Sequence, residues 1–404
     1  MSEHVLVINA GSSSLKYSLV DAASGEAAAS GLVEQIGEDS GTLTHHGPSG
    51  DRRTERPFPS HEVALRAALD AFGDQGPSLD QVDLGAVGHR VVHGGPTFSS
   101  PVLVDDDVVA AVRSLVPLAP LHNPANLEGI ETARKVFPTV PQVAVFDTAF
   151  HHTLPEPAYT YAVPRTWVEE HQIRRYGFHG TSCSFVSGEA ARLLGRPLSE
   201  VNLVVLHLGN GASATAVQGG RSVDTSMGLT PLEGLVMGTR AGDVDPALHA
   251  HLHRQLGWSV EDVDGILNRE SGLKGLCGHN DFREVDRLRR SGDPAAGLAF
   301  DVVCHRVRKY VGAYYAVLGT VDAVVFTAGV GENAAAMRAA SLSGLERLGI
   351  AVDPRLNHAG NDAGHEGAFS ISPEGSDVAV LVVPTNEEWE IARQAMDVVH
   401  GTGA

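Results

Sequence analysis

Two arginines in this sequence lie in surroundings unlike an exposed helix face. Arg90 lies within GHRVVHGG, and Arg240 lies within VMGTRAGDVDP. A guanidinium group stays charged and binds carboxylate or transferring phosphoryl oxygens through two parallel hydrogen bonds. A structural ion pair is the commoner role of a partly buried arginine. The residues alone therefore leave both an anion site and an ion pair open.

Two carboxylates occupy positions at which acids often act. Asp147 ends the apolar run VAVFD, and a carboxylate at the carboxyl end of a strand can reach a cleft. Glu387 lies in the predicted first turn of the last helix, where it could favour the helix dipole or hold hydrated magnesium. Capping or turn formation is the simpler interpretation of Asp147.

Two histidines lie at the ends of predicted segments, where functional side chains tend to gather. His122 precedes Asn123-Pro124, and His179 lies in RRYGFHGTS. Either one alone is more often a hydrogen-bonded structural residue. His89 and His93 are four residues apart, but their setting indicates strand and turn, which disfavours a helical metal-binding pair.

Three loops rich in glycine or serine follow predicted strands: NAGSSSLK with Lys16, HLGNGAS and AGVGEN. Small side chains let backbone N–H groups converge on phosphate oxygens. The sequence lacks G-x-x-x-x-G-K-[ST], so a P-loop is not indicated. Gly329-x-Gly331-x-x-Ala334 fits a relaxed dinucleotide fingerprint, so a nicotinamide-dependent dehydrogenase is a rival enzyme class.

Alternating and apolar runs predict the elements that must position these residues. Strands are expected at 5–8, 15–19 and 378–383, and another within 322–333. A strand, tight loop and strand are expected within 203–217, and Gly219-Gly220 offers a hairpin turn to a further strand. Helices are expected at 61–72, 106–116, 124–137 and 184–194, with Asn123 as the cap and Pro124 in the first turn of the third. Thr385 and Glu388 have capping-box spacing for the last helix. Related hairpins in each half predict two similar α/β domains.

The bulk composition limits the protein classes. The chain has 404 residues and a net charge of −19, which opposes nonspecific binding to nucleic acid or anionic lipid. Its 3 cysteines form no C-x-x-C pair, so neither a disulfide framework nor a structural zinc site is predicted. Without a basic amino-terminal region or a long apolar run, we expect a cytoplasmic protein with no membrane partner.

Taken together, these segments resemble the acetokinase family of the acetate and sugar kinase and actin-like ATPase superfamily, nearly end to end. The resemblance is carried by VINAGSSSLKYSL, GHRVVHGG, PLAPLHNPANLEGI, VAVFDTAFH, RRYGFHGTS, HLGNGAS, DTSMGLTPLEGLVMGTRAGDVDP, AGVGEN and PTNEE. It implies a duplicated actin-like, ribonuclease H-like α/β fold with an active-site cleft between two domains, and a homodimer. Residues 1–149 with 386–404 would form the carboxylate and metal side, and 150–385 the nucleotide side.

The resemblance also implies roles for individual residues in direct in-line phosphoryl transfer from ATP to acetate, giving acetyl phosphate and ADP. Asn9 and Glu387 would hold Mg²⁺, with Mn²⁺ as an alternative. Asp147, His179 and Arg240 would be catalytic. The small carboxylate would be bound by Arg90, Val92, Leu121, His122, Phe178 and Pro231. The nucleotide would be bound by Lys16, His207, Leu208, Gly209, Asn210, Gly211, Asp281, Phe282, Arg283, Gly329, Val330, Gly331, Glu332 and Asn333.

Several alternatives remain open at this point. A propionate or butyrate kinase would share the same fold, and an actin-like chaperone or binding ATPase would share the phosphate loops without needing substrate arginines. For Asp147, an electrostatic role that orients magnesium is favoured over proton abstraction, because acetate is already ionised near neutral pH.

Overall fold

The computed structural model describes residues 3–120, 122–360 and 367–402 of the chain, so the predicted site residue Leu121 lies outside the described residues. In the described residues the β-strands are His4–Ala10 (β1), Ser14–Asp21 (β2), Ala27–Glu34 (β3), Gly41–Gly47 (β4), Gly50–Arg56 (β5), Leu84–Val91 (β6), Val102–Leu103 (β7), Gln142–Phe146 (β8), Asn202–Leu208 (β9), Ala212–Gln218 (β10), Arg221–Thr225 (β11), Ala323–Thr327 (β12), Phe369–Ser370 (β13) and Ala379–Val382 (β14).

The described residues also form a series of α-helices. They are His61–Gln75 (α1), Asp106–Ser114 (α2), Asn123–Val136 (α3), Glu156–Tyr159 (α4), Arg165–His171 (α5), Gly180–Leu193 (α6), Ala247–Leu256 (α7), Val260–Arg269 (α8), Gly272–Cys277 (α9), Phe282–Arg290 (α10), Pro294–Leu318 (α11), Ala328–Asn333 (α12), Ala335–Leu342 (α13), Pro354–Ala359 (α14) and Glu387–His400 (α15). Within these ranges, no helix combines the length and the apolar character that crossing a bilayer requires.

The chain divides into two compact units. The first unit comprises Met1–Phe150 with Asn386–Ala404, and the second comprises His151–Thr385. The sheet of the first unit has the order β5-β4-β3-β2-β1-β6-β8-β7, and that of the second has the order β11-β10-β9-β12-β14-β13.

Both sheets contain the same five-strand pattern. In the first unit β3, β2 and β1 are antiparallel neighbours, and β6 and β8 continue the sheet in parallel with β1. In the second unit β11, β10 and β9 repeat the antiparallel part, and β12 and β14 repeat the parallel part. The prediction of a duplicated α/β fold is confirmed. In each unit the carboxyl ends of three parallel strands meet at one edge of the sheet, where ligands bind in such folds.

The central strand β1 is buried on both faces because its apolar residues alternate between two helical layers. Leu6 and Ile8 pack in a core with residues of α1, and Val5 and Val7 pack with Ile391 of α15. Successive side chains of a strand point to opposite faces, so a continuous apolar run is what a strand covered on both sides requires. Helices α1 and α15 therefore fix the sheet edge that carries the first-unit candidate residues.

Two helix starts differ from the sequence prediction. Asn123 is the first residue of α3 and not its cap, and its buried side chain bonds instead to the backbone of His93. Helix α6 begins at Gly180, four residues before the predicted start, directly after His179 in a left-handed conformation with φ 58°. Short-range capping patterns did not identify either start because long-range hydrogen bonds and an unusual backbone angle decide them.

Candidate active site

Arg90 and Asp147 form a bidentate ion pair in the first unit. Their strands β6 and β8 are parallel neighbours, and the Asp147 N–H bonds to the Val91 carbonyl at 3.0 Å just beyond β8. Arg90 Nε lies 3.0 Å from Asp147 Oδ1, and Arg90 Nη2 lies 2.6 Å from Oδ2. The Asp147 side chain is buried, whereas Arg90 remains 20% exposed. The strand register thus brings together two predicted residues that are far apart in sequence.

This pair leaves one edge of the Arg90 guanidinium available. Asp147 engages Nε and Nη2, and among the described residues Nη1 has no hydrogen-bond or ion-pair partner. Burial alone would lower the pKa of Arg90, but the carboxylates of Asp147, Glu387 and Glu388 raise it above its usual value. Arg90 is therefore a fixed cation, and its Nη1–Nη2 edge has the geometry that binds a planar carboxylate.

The start of α15 places two acids beside predicted cations. Glu387 Oε2 lies 3.9 Å from Arg90 Nε, and Glu388 forms an ion pair with Lys16. The predicted capping box is wrong, because Asn386 caps α15 by accepting a hydrogen bond from the Trp389 N–H at 3.0 Å. The Thr385 hydroxyl instead bonds to the Ser182 hydroxyl at 2.9 Å within the second unit. A local sequence pattern could not distinguish between the two adjacent candidate caps.

The predicted metal ligands are oxygen donors of the first unit. Asn9 lies near the carboxyl end of β1, and Glu387 is the first residue of α15, which packs against β1 and β6. In the part of the chain that the structure describes, no group of three His, Cys, Asp or Glu side chains is arranged to hold a metal ion. Mg²⁺ keeps several waters and needs only one or two protein carboxylates, so an amide oxygen and a carboxylate fit its chemistry.

His179 belongs to a hydrogen-bonded cluster in the second unit. Its Nδ1 lies 2.9 Å from Ser213 Oγ, and its ring stacks on His207 at a centroid distance of 4.1 Å. His207 Nδ1 lies 2.8 Å from Ser182 Oγ, which lies in the first turn of α6. This packing holds the predicted catalytic imidazole against the strand that precedes the HLGNGAS loop.

Arg240 lies close to the same cluster. A Cβ atom added to Gly211 would lie 3.4 Å from His179 Nε2 and 3.7 Å from Arg240 Nη1, so both side chains border this glycine. The Arg240 guanidinium has no hydrogen-bond or ion-pair partner among the residues that the structure describes, and burial lowers its pKa. A partly buried cation without a counter-ion indicates an anion site.

The loop that carries Arg240 has no regular structure and is held by polar contacts that the sequence did not suggest. Arg175 Nη2 bonds to Glu233 Oε1 at 2.6 Å, and Arg306 Nη1 donates to the Gly234 carbonyl at 2.9 Å. Tyr310, a residue of helix α11, donates a hydrogen bond from its hydroxyl to the Asp243 carboxylate at 2.9 Å. No pattern in the sequence links these residues, because their partners lie up to 72 positions away.

A cavity of about 840 Å³ in the second unit gathers three of the predicted nucleotide segments. The predicted residues that line it are Leu208, Gly209, Asn210, Asp281, Phe282, Arg283, Gly329, Val330 and Asn333. Its lining also includes apolar residues that sequence reasoning missed: Val236, Met237, Leu273, Val303, Val307 and Met337. They come from helices and a loop with ordinary composition, so only packing identifies them as lining residues.

Five predicted nucleotide residues do not line this cavity. One of them, Lys16, lies on strand β2 of the first unit. His207 and Gly211 lie in the His179 cluster described above. Gly331 and Glu332 belong to α12, where their carbonyls accept hydrogen bonds from the buried Arg338 guanidinium at 2.8 and 2.7 Å. The Glu332 carboxylate accepts a hydrogen bond from the Thr385 N–H at 3.2 Å, and burial raises its pKa.

The residues predicted to contact the substrate methyl group are apolar and mostly covered. Val92 is buried in the first unit, and Phe178 is buried in the second, where Pro231 is partly exposed. The Phe178 carbonyl accepts a hydrogen bond from His151 Nε2 at 2.9 Å. His122 immediately precedes α3, where its side chain makes no capping hydrogen bond.

The chain is similar to known proteins over almost its whole length. The model of the acetokinase family matches residues 4–393. An acetate kinase from Leifsonia xyli subsp. xyli is 58% identical over 98% of this chain and 98% of its own length. One from Streptomyces coelicolor is 58% identical over 100% of this chain and 98% of its own length. The solved Porphyromonas gingivalis acetate kinase is 40% identical with a TM-score of 0.92, covering 98% of this chain and 100% of that one. A solved Francisella tularensis propionate kinase is 42% identical with a TM-score of 0.90, covering 97% and 98%.

Proposed function

Because the chain belongs to the acetokinase family, we propose that it transfers the γ-phosphoryl group of ATP to acetate, giving acetyl phosphate and ADP in a reversible reaction. The observation that carries the proposal is the Arg90–Asp147 pair, which leaves a fixed guanidinium edge suited to a carboxylate. In-line phosphoryl transfer depends on alignment and charge neutralisation more than on covalent assistance from the protein.

The proposed roles in the first unit concern the acid and the metal. Arg90 binds the acetate carboxylate, and Asp147 holds Arg90 in position for it. Val92 and Leu121 contact the methyl group, and His122 supports the site. Asn9 and Glu387 would hold Mg²⁺, or Mn²⁺ as an alternative, which when bound neutralises charge on the phosphates.

The proposed roles in the second unit concern the nucleotide and the transition state. The cavity of about 840 Å³ has an apolar lining for a base and polar loop backbone for phosphates. Arg240 and His179 stabilise the charge of the transferring phosphoryl group, since both border Gly211. We assign Lys16, on strand β2 of the first unit, to the nucleotide phosphates, and Phe178 and Pro231 to the methyl group.

The test is product formation with ATP, magnesium and a series of small acids, with acyl phosphate trapped as its hydroxamate. Acetate-dependent hydroxamate is the expected result. ATP turnover that does not depend on a carboxylate would favour an actin-like ATPase, and nicotinamide binding in a fluorescence titration would favour a dehydrogenase. Either result in the absence of hydroxamate would contradict the proposal.

Propionate is the second candidate substrate, because the fold of a solved propionate kinase resembles this chain almost as closely as that of an acetate kinase, with TM-scores of 0.90 and 0.92. The same assay ranks the two acids by kcat/KM. By family resemblance we also propose that the protein is a homodimer, which light scattering of the purified protein tests directly.

A further inference from the structure

The side chain of Asn126 joins two segments of the first unit that carry predicted site residues. Its Nδ2 donates a hydrogen bond to the Ala10 carbonyl at 2.7 Å, and its Oδ1 accepts one from the Val92 N–H at 3.0 Å. Ala10 follows Asn9, the predicted metal ligand, and Val92 lies two residues after Arg90. Only 3% of Asn126 is exposed, so water does not compete for these bonds.

Asn126 acts where the sheet no longer connects these segments. The parallel pairing of β1 with β6 ends at Ile8 and His89. Asn9 and Arg90, the next residues on each strand, therefore lie beyond the last pair of this ladder. The Asn126 amide supplies a donor on one side and an acceptor on the other, as a peptide group would. It thus continues the connection between the two segments by one further bridge.

Other residues of α3 also hold the end of β1 and the loop that follows it. Gly129 lies almost one turn further along α3, and a Cβ added there would come within 3.1 Å of the Ala10 Cβ, so the missing side chain permits close approach. The next carbonyl along the chain, that of Gly11 in the loop after β1, lies 2.7 Å from His61 Nε2. His61 Nδ1 in turn lies 3.1 Å from Glu128 of α3. Helix α3 therefore holds Ala10 directly and Gly11 through His61.

We propose that Asn126 is a positioning residue for phosphoryl transfer, which fixes the spacing between the end of β1 that carries Asn9 and the end of β6 that carries Arg90. The proposal rests on the proposed function for its kinetic consequence, but the connection itself is a property of the protein without ligands. Misplacing reacting groups by about 1 Å can cost about 10²-fold in rate, so a tether at this point affects catalysis without touching substrate.

A matched control lies one turn earlier on the same helix. Asn123 is also buried, and its amide makes two hydrogen bonds, at 3.2 Å from the His93 N–H and at 3.1 Å to the His93 carbonyl. Both bonds are made to His93, so Asn123 supports one segment of the first unit and does not connect two segments as Asn126 does. Asn126→Asp and Asn123→Asp each replace one buried amide donor by a carboxylate oxygen that faces a carbonyl. The two changes differ chiefly in whether the loop after β1 is released.

The kinetic test compares these two variants in the acetate assay. For Asn126→Asp we expect kcat to fall about 10- to 100-fold with KM for acetate within about threefold of wild type, because alignment and not carboxylate binding is lost. Asn123→Asp should lose a similar amount of thermal stability and keep kcat within about threefold of wild type. Equal losses of kcat in both variants, or an unchanged kcat in Asn126→Asp, would overturn the proposal.

Hydrogen exchange of the ligand-free protein tests the tether without any activity. The amides of Gly11 and Ser12 should exchange faster in Asn126→Asp than in wild type and remain unchanged in Asn123→Asp. If Asn126→Asp does not fold, Asn126→Ser removes both bonds with less charge burial, and exchange at Val92 should then increase as well. Unchanged exchange in the folded Asn126 variant contradicts the tether. If the wild-type protein forms no acetate-dependent product but the Asn126 variant shows these exchange changes, only the proposed function is contradicted.

Discussion

The Asp147 carboxylate holds the Nε–Nη2 edge of Arg90 through contacts of 2.6 to 3.1 Å and leaves the Nη1 side of the guanidinium without a partner among the described residues. The simple interpretation of Arg90 as a structural ion pair and its interpretation as a carboxylate-binding residue are therefore compatible. Asp147 fixes the side chain through the Nε–Nη2 edge of the guanidinium, and the Nη1 side remains available to bind a carboxylate.

Replacing Asp147 by Asn should raise KM for acetate and lower kcat, because an uncharged partner no longer fixes Arg90 on both atoms. We expect kcat/KM for acetate to fall at least about 10²-fold, with partial activity retained in Asp147→Glu. The measurement is kcat and KM for acetate at several magnesium concentrations. An Asn variant with a normal KM for acetate and a raised magnesium requirement would support metal orientation instead, and a shifted pH profile alone would support proton transfer.

Arg90→Ala should weaken acetate binding and also destabilise the protein. It leaves the Asp147 carboxylate buried without its counter-ion, and such a change costs about 3 to 5 kcal/mol when one partner of a buried pair is removed. We expect KM for acetate to rise at least about tenfold and Tm to fall. The double variant Arg90→Ala with Asp147→Ala should recover part of the lost Tm but none of the acetate affinity. Normal acetate kinetics in the single variant would remove Arg90 from the carboxylate site.

Arg240→Ala should behave in the opposite way, because its guanidinium has no protein partner in the described ranges. Removing the Arg240 guanidinium leaves no buried carboxylate without a counter-ion, so Tm should be unchanged or slightly raised. We expect kcat to fall about 10²- to 10³-fold with little change in KM for acetate. The reason is that a positive charge that stabilises only the transition state affects kcat and not the binding of acetate. Arg306→Ala, which removes a bond to the same loop, is the control that should lower Tm. An Arg240→Ala protein with normal kcat would contradict its role.

Folding stability should decrease as the pH falls from about 6.5 to about 4. Burial lowers the pKa of both His89 and His151 to about 4, so both stay neutral in the folded protein while their unfolded forms bind protons. The stabilising contribution is present above pH 6.5 and is lost through pH 4, at about 3 kcal/mol per histidine. Urea unfolding at several pH values measures this slope. It should be shallower in His89→Gln, and an identical slope in that variant would exclude His89 as a cause.

Small acids should be ranked by chain length, with acetate first, propionate slower and butyrate slowest. Each additional methylene in a small apolar pocket costs about 1 to 3 kcal/mol, which is about 10- to 200-fold in kcat/KM. Val92, Phe178 and Pro231 are the described residues on which this prediction rests. Competition assays with pairs of acids give the ratio directly. Butyrate exceeding acetate in kcat/KM would overturn the substrate assignment.

The sequence by itself determined several of the elements and much of the family assignment. Apolar runs and alternation gave the hairpin of β1 and β2 and that of β10 and β11, which are confirmed, and the Gly219-Gly220 turn with both φ angles positive. These features are local, since a strand or a tight turn is decided by residues within a few positions of one another. The motifs that marked Arg90, Asp147 and Arg240 are likewise short continuous segments.

Only the tertiary structure decided which of these residues meet. Arg90 and Asp147 are 57 positions apart, and Asn126 and Ala10 are 116 apart. Parallel strands are joined by long crossover connections, so their register is set by packing of whole helices against the sheet and leaves no short-range pattern. The same reason applies to Asn386, which caps α15 in place of Thr385, and to the apolar lining that α11 supplies to the cavity. Local chemistry identified the candidate groups, whereas long-range packing selected their partners.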